Sequence, residues 1–193
     1  TIDYVVAGGM ESMTNAPYLL KKHRSGARLG HDTAYDHMFL DGLEDAYEEG
    51  RAMGTFAQDT ANDYQLTREE MDAYSIESLR RANAAIENGA FAGEVVPVTF
   101  STRAGEVTVE HDEQPGKGKP DKIPTLRPAF AKDGTITAAT SSSISDGAAA
   151  VVLTRESVAE KNGQTPVARI VAMAAHAQAP SEFTVAPVGA INK

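Results

Sequence analysis

The chain has 193 residues, of which 41% are hydrophobic and 23% charged, values typical of a soluble globular protein of one or two domains. Its 18 Lys and Arg against 27 Asp and Glu give a net charge of -9, which argues against a general nucleic-acid-binding surface. No apolar run reaches the roughly 18 residues of a membrane span, and no signal-peptide pattern is seen. We therefore expect a cytoplasmic protein that has neither a membrane nor a nucleic acid as partner.

The first third of the chain alternates between ordered and irregular patterns. Residues 2–7 predict a short buried strand, and Gly8-Gly9 is expected to end it. Residues 15–36 contain a proline, two glycines and the basic run 21–24, which predicts an irregular excursion. Because the chain begins with Thr1 and enters a strand at once, we expect an internal segment of a larger protein.

The middle third predicts helices and a hairpin. Residues 55–64 look helical, and Thr67 with Glu70 forms a capping box that should begin a long helix ending at Asn88-Gly89. Residues 95–100 and 106–110 alternate in polarity around a turn at 103–105, the pattern of a hairpin. Residues 114–124, rich in Gly, Pro and Lys, predict a loop.

The last third predicts two strands and one helix. Residues 148–154 form a continuous apolar run of the kind found in strands covered on both faces. Residues 156–162 predict a helix stopped by Gly163, and residues 167–175 predict a second buried strand.

The segment 136–150 is rich in hydroxyls and almost free of bulky side chains. A large flat ligand could approach its backbone closely and take polar contacts from N–H groups and serine hydroxyls. Residue types alone favour the simpler alternative, a tight Ser/Gly turn before a buried strand.

The neighbouring residues favour a ligand site. The blocks 126–130 and 133–150, together with the opening Val5-Val6-Ala7-Gly8-Gly9-Met10-Glu11-Ser12-Met13, resemble the thiolase family, and most closely its biosynthetic acetyl-CoA acetyltransferases. Residues 41–47, 53–57 and 112–115 match in the same order, so the resemblance spans the chain. Several blocks in order are far more specific than a single glycine motif.

The resemblance implies an α/β fold, namely a fragment of the thiolase fold. Residues 1–14 would end the N-terminal α/β layer, and 15–140 would form the inserted α+β loop domain, which binds coenzyme A and mediates tetramer assembly. Residues 141–163 would return to the N-terminal domain, and 164–193 would begin the C-terminal α/β layer. The basic run 21–24 matches the loop that assembles tetramers, so we expect a homotetramer.

The implied reaction joins two acetyl-CoA into acetoacetyl-CoA and CoA, and runs in reverse as thiolysis. It needs a thiolate nucleophile, a base and an oxyanion hole. The chain has no cysteine, and its five histidines do not match the catalytic one, so we expect no catalytic residue and no activity from it alone. The alternatives are a degradative 3-ketoacyl-CoA thiolase and a non-catalytic fragment that binds CoA or serves assembly.

Coenzyme A or acetyl-CoA is the implied substrate, with no permanently bound cofactor and no metal. Ser142 resembles the serine that contacts CoA. Phe130 resembles the phenylalanine beside the adenine and pantetheine, and Met53 the methionine of the acyl pocket; both are otherwise ordinary core residues. Beside Ser142, the small residues Ala138, Ala139 and Ser141 would let coenzyme A approach the backbone closely.

Three positions depart from the family pattern. Thr140 stands where Asn is usual, and Ala52 stands where some biosynthetic members have His. Pro115 lies near the position of an arginine that contacts the nucleotide phosphate, so that contact is assigned to lysines instead, namely Lys117, Lys119 or Lys122. Arg127 is a further cation close by. His176 is interpreted either as a pocket residue near the acyl group or as an ordinary packed histidine.

Overall fold

The computed structural model describes residues 2–193. The chain divides into two compact units, the first formed by residues up to 60 together with 143–193, and the second by residues 61–142. Within residues 2–193, no helix is long and apolar enough to cross a membrane. The domain boundaries expected from the sequence refer to the complete thiolase fold and stay a prediction.

The first unit is built on two long antiparallel strands. β1 (Tyr4–Glu11) pairs with β6 (Gly147–Thr154), with Tyr4 opposite Thr154 and Glu11 opposite Gly147. β1 continues through Gly8-Gly9, so the prediction that these glycines end the strand is wrong. Gly8 lies so close to β6 that a Cβ atom there would be 2.3 Å from the carbonyl oxygen of Ala149. The glycine serves close strand approach and not a turn.

The side chains of this strand pair are largely exposed. Every residue of β6 is exposed, and in β1 only Ala7 is half-buried. Residues 167–175 are also exposed and form no strand. Within residues 2–193 this sheet contains only β1 and β6, and residues 167–175 pair with neither strand. The predicted strand 148–154 is confirmed, but the predictions that it is covered on both faces and that 167–175 is a buried strand are wrong for this chain.

The remaining elements of the first unit are short. β2 (Tyr18–Leu19) pairs with β3 (Tyr35–Asp36), a 3₁₀ helix spans His23–Ser25, and a π-helix spans Phe39–Leu43. α1 (Met53–Asp63) begins in this unit, which also contains α4 (Glu156–Lys161), a 3₁₀ helix (Pro180–Glu182) and α5 (Ala186–Ile191). Phe56, 1% exposed, packs edge-on against Phe183 with ring centroids 6.3 Å apart. The predicted helices at 55–64 and 156–162 are confirmed.

The second unit is organised around α2 (Arg68–Glu87). The predicted capping box is confirmed, because the Thr67 hydroxyl accepts from the Glu70 N–H at 3.2 Å and the Glu70 carboxylate accepts from the Thr67 N–H at 3.0 Å. The helix ends at Glu87 with Asn88 as its C-cap, and Gly89 follows with φ +67° in the left-handed region that glycine tolerates.

The predicted hairpin forms with shifted ends, as β4 (Val98–Thr102) paired with β5 (Gly105–Val109). The loop predicted for 114–124 is wrong, since α3 (Glu113–Lys117) and a 3₁₀ helix (Pro120–Thr125) occupy it. The Asp112 side chain caps α3 by accepting from the Gln114 N–H at 3.0 Å, and Pro120 opens the 3₁₀ helix. Both are common signals for a helix start. α2 packs against α3, against this 3₁₀ helix and against a third short helix, Ala138–Thr140.

Candidate functional site

The turn 136–141 is held together by its own hydroxyl groups. Thr137 is fully buried, and its hydroxyl accepts from the Ala139 N–H at 3.2 Å. The Thr140 hydroxyl accepts from the Thr137 N–H at 2.9 Å and donates to the Thr137 carbonyl at 3.2 Å. Thr140, the departure from the usual asparagine, therefore closes the turn itself. Such local side-chain bonds define the backbone without bulky groups.

The residues predicted to contact coenzyme A line this turn and its exit. Ala138 and Ser142 are exposed, whereas Ala139 and Ser141 are half-buried. The Ser141 hydroxyl donates to the Thr137 carbonyl at 2.8 Å, so its proton is engaged and its lone pairs remain acceptors. The Ser142 hydroxyl is placed at the surface, where a ligand can reach it.

Phe130 is half-buried on the segment that leads to the turn. The Ala129 N–H donates to the Ile136 carbonyl at 2.8 Å, so Phe130 lies one residue from the bond that joins this segment to the turn. Met53 is the first residue of α1 and is half-buried in the first unit. Phe130 thus belongs to the second unit, one residue from the hydrogen bond that joins its segment to the turn of Ser141. Met53 belongs to the first unit. The roles of all these residues stay predictions.

The candidate phosphate-binding cations lie at the end of α3 and on the segment between α3 and the turn. The Lys117 ammonium bonds to the Glu113 carboxylate at 3.1 Å, which lowers its value as a phosphate ligand. Lys119, Lys122 and Arg127 are exposed, and Lys122 lies on the 3₁₀ helix Pro120–Thr125. Exposed ammonium and guanidinium groups on one loop are suited to a phosphate-bearing ligand despite the negative net charge.

Sequence reasoning missed the residue that anchors this loop. The Arg68 guanidinium, at the start of α2, donates from Nε to Asp72 Oδ2 at 2.7 Å and from Nη2 to the carbonyls of Ile123 and Leu126, each at 3.0 Å. The spacing of four residues between Arg68 and Asp72, directly after a capping box, was the available signal.

Asp146 was also missed, although it lies within the Ser-rich segment. Its carboxylate accepts from the Thr14 N–H at 2.9 Å and from the Ser12 hydroxyl at 3.3 Å, which connects β6 to the end of β1. The Thr14 backbone bond is the main reason why the pKa of Asp146 lies below its ordinary value. A charge-stabilised carboxylate here closes the strand pair at one end.

His176 is exposed, and its Nε2 lies 3.0 Å from the Gln178 side-chain oxygen. Its ring packs on Gly189, where a Cβ atom would lie within 2.6 Å of the ring. These contacts place it against α5 of the first unit. Over residues 2–193, no group of three or more His, Cys, Asp or Glu side chains is placed to hold a metal ion.

A groove of about 620 Å³ lies at the C-terminal end of α2, and its lining includes Pro115 but none of the residues expected to contact coenzyme A. Its floor is apolar, with Ile86 and Phe91, and its lining includes the carboxylates of Glu94, Glu110 and Asp112. Three carboxylates and no Lys or Arg disfavour a ligand that bears phosphates.

The fold and the turn define the class of protein. Residues 1–157 match the family described as "Thiolase, N-terminal domain", and the chain belongs to the thiolase family.

Among the relatives, the chain is 48% identical to acetyl-CoA acetyltransferase 1 of Arabidopsis thaliana, covering 99% of this chain and 46% of the relative. It is 46% identical to the acetyl-CoA acetyltransferase of Escherichia coli, covering 98% and 48%. It superposes on a thiolase from Ascaris suum, solved in complex with coenzyme A, with a TM-score of 0.87, 42% identity and coverage of 98% and 48%. The chain spans about half the length of these relatives.

These matches confirm three expectations from the sequence. The resemblance to the thiolases is confirmed, and so is the α/β fold class, as a fragment of the thiolase fold. The nearness to acetyl-CoA acetyltransferases is confirmed by the names of relatives that match nearly the whole chain.

Proposed function

We propose that the complete protein is an acetyl-CoA C-acetyltransferase, which condenses two acetyl-CoA to acetoacetyl-CoA and CoA and catalyses the reverse thiolysis. The main support is the turn 137–142, which is closed by hydrogen bonds from its own hydroxyl groups. It lies in a chain that aligns over 98% of its length with a thiolase in complex with coenzyme A. The names of the relatives support the choice of acyl substrate.

In this proposal residues 1–193 contribute coenzyme A binding. The small side chains of Ala138 and Ala139 let the pantetheine chain approach the backbone, and the exposed Ser142 hydroxyl donates to it. Phe130 offers an aromatic face to the adenine, and Lys122 an ammonium to a nucleotide phosphate. Met53 contacts the acyl group.

The nucleophile must lie outside these residues, because the chain has no cysteine. A thiolate is suited to acyl transfer because it is strongly nucleophilic and forms a thioester like that of the substrate. We therefore assign the thiolate and the acid–base groups to the part of the protein beyond residues 1–193.

The direct test is thiolysis of acetoacetyl-CoA by the full-length protein. The measured quantity is the rate at which acetoacetyl-CoA is consumed. Ser142→Ala should raise the KM for CoA roughly two- to tenfold, the effect of one hydrogen bond, with kcat nearly unchanged. Ser101→Ala, an exposed serine on β4, is the matched control and should leave both constants unchanged.

The possible outcomes separate the alternatives. Equal or better turnover of longer 3-ketoacyl-CoA substrates indicates a degradative thiolase. CoA binding without turnover indicates a non-catalytic CoA-binding protein. Absence of both overturns the proposal.

We further propose that the protein is a homotetramer in the cytoplasm, serving lipid metabolism. The support for assembly is the excursion that carries the basic run 21–24, where Leu20 is 49% exposed and Leu29 is 100% exposed. An exposed leucine is stabilised when an assembly removes its side chain from water. Light scattering of the full-length protein after size-exclusion chromatography measures the subunit number directly.

A further inference from the structure

Arg68 is the most extensively bonded cation of the second unit. Its side chain is 20% exposed and that of its ion-pair partner Asp72 is 7% exposed. Besides the bond to Asp72, it donates to three backbone carbonyls more than fifty residues away in sequence, those of Ile123 and Leu126 at 3.0 Å and that of Pro124 at 3.4 Å. A pair this buried costs desolvation, so its value lies in the geometry that it imposes and not in net stability.

That geometry concerns the 3₁₀ helix Pro120–Thr125. The carbonyls at the end of a helix have few partners within it, and a cation there bonds to them and interacts favourably with the helix dipole. Here the Ile123 carbonyl accepts the Leu126 N–H at 3.2 Å and has a second lone pair for Arg68. Arg68 performs this role from another element. The Ile123 side chain, 6% exposed, is buried at the same place.

The same loop is held a second time, further along α2. Gly118 lies against Leu79, so closely that a Cβ atom at Gly118 would be 2.5 Å from Leu79 Cδ2. The loop is thus fixed to one helix at Gly118 and again at Ile123 and Leu126. Lys119 and Lys122 lie between these two points, on a segment that α2 holds at both ends.

The effect of Arg68 extends towards the small-residue turn. Three residues after Leu126, the Ala129 N–H bonds to the Ile136 carbonyl, and Ile136 precedes the fully buried Thr137. Arg68 therefore bonds directly to the cationic loop, and it is linked to the turn through the Ala129–Ile136 hydrogen bond.

We propose that Arg68 is a positioning residue for coenzyme A, which fixes the loop 118–126 so that Lys119 and Lys122 meet the nucleotide phosphates, without itself contacting the ligand. The inference rests on the proposed function, because it concerns the same substrate.

The test compares two substrates in the full-length protein, acetoacetyl-CoA and acetoacetyl-pantetheine, which lacks the nucleotide and its phosphates. Arg68→Gln should raise the KM for acetoacetyl-CoA about tenfold, the scale of one lost hydrogen bond to a charged group, and leave the KM for acetoacetyl-pantetheine nearly unchanged. Lys122→Ala should produce the same selective loss, and the double variant should lose less than the product of the two.

Arg80→Gln is the matched control. Arg80 lies on the same helix and pairs with Glu77, but is 64% exposed. It should change neither KM. Should Arg68→Gln fail to fold, Arg68→Lys keeps the charge beside Asp72 but loses the planar fork, and should show the same selectivity at reduced size.

A KM that rises equally for both substrates, or for neither, overturns the positioning role. The wild-type protein tests the proposed function separately. If it thiolyses neither substrate, the proposed function fails, whatever Arg68 does; if it thiolyses both with equal KM, nucleotide recognition is absent and only the positioning role fails.

Discussion

The strand pair β1–β6 and the helix α2 keep their neighbours in place by different means. β1 and β6 are joined along eight backbone pairs, while nearly all of their side chains are exposed. α2 instead holds its loop by side chains, chiefly the Arg68 guanidinium and the Leu79 isobutyl group. The strand pair should therefore tolerate substitution of its exposed side chains, but not a side chain added where the two backbones lie close together. α2 should be sensitive to substitution of the side chains that hold its loop.

The largest effect is expected from breaking the buried ion pair on α2. Asp72→Ala leaves the Arg68 charge poorly compensated and should lower the free energy of unfolding by about 3–5 kcal/mol, measured by urea denaturation. Glu77→Ala removes an exposed partner of Arg80 and Arg81 on the same helix, and its effect should be too small to resolve because solvent screens the pair.

A double change sharpens this prediction. Arg68→Met with Asp72→Leu replaces the pair by apolar side chains and should regain most of the lost stability. The Arg68 bonds to the carbonyls of Ile123 and Leu126 are lost in this double variant, so its KM for acetoacetyl-CoA should rise as in Arg68→Gln. Equal losses for Asp72→Ala and Glu77→Ala would show that burial does not distinguish the two pairs.

The next effect is expected in the strand pair. Gly8→Ala places a Cβ atom 2.3 Å from the Ala149 carbonyl oxygen and 2.9 Å from the Ala150 Cα, both backbone atoms that cannot turn aside. We expect a loss of about 1–3 kcal/mol, the range for overpacking, in the same urea experiment.

The adjacent glycine provides the control. A Cβ atom at Gly9 has no neighbour within 4 Å, so Gly9→Ala should be nearly neutral. Similar effects at both positions would mean that glycine itself, and not clearance from β6, matters in β1.

The smallest resolvable effect is expected at the start of α2. Thr67→Ala removes the capping hydroxyl and should cost about 1 kcal/mol. The pKa of Glu70 lies below its ordinary value of 4.5, first because the Thr67 N–H donates to its carboxylate. The stability linked to Glu70 is therefore complete above pH 4.5 and is lost as the pH falls through the lowered pKa.

Urea denaturation at a series of pH values tests this directly. The difference between wild type and Glu70→Gln should be largest at neutral pH and vanish in acid. Glu69→Gln, on the same turn but outside the capping box, is the control. A difference that grows on acidification would contradict the capping role.

Features that depend on neighbouring residues in the sequence were predictable. The Thr67–Glu70 capping box, the stop at Gly89 and the hairpin all form as expected, because their hydrogen bonds connect residues a few positions apart. The residue types of 136–141 predict a turn, whereas the closing role of Thr140 is visible only in the folded turn.

Features that depend on distant residues were not predictable. Gly8 was interpreted as a strand end because its close neighbour, Ala149, lies far away in sequence. Residues 167–175 have the apolar character of a strand, but a strand forms only when it bonds to the edge of another strand, and within residues 2–193 these residues bond to none.

The sequence by itself determined the family, the helices with their caps and the location of a small-residue turn, because motif order, capping and turn chemistry are local properties. The tertiary structure decided which groups hold that turn and its cationic loop. Arg68 meets the carbonyls of Ile123 and Leu126 across more than fifty residues. Hydrogen bonds of that range leave no pattern in the sequence, since only folding brings donor and acceptor to 3.0 Å.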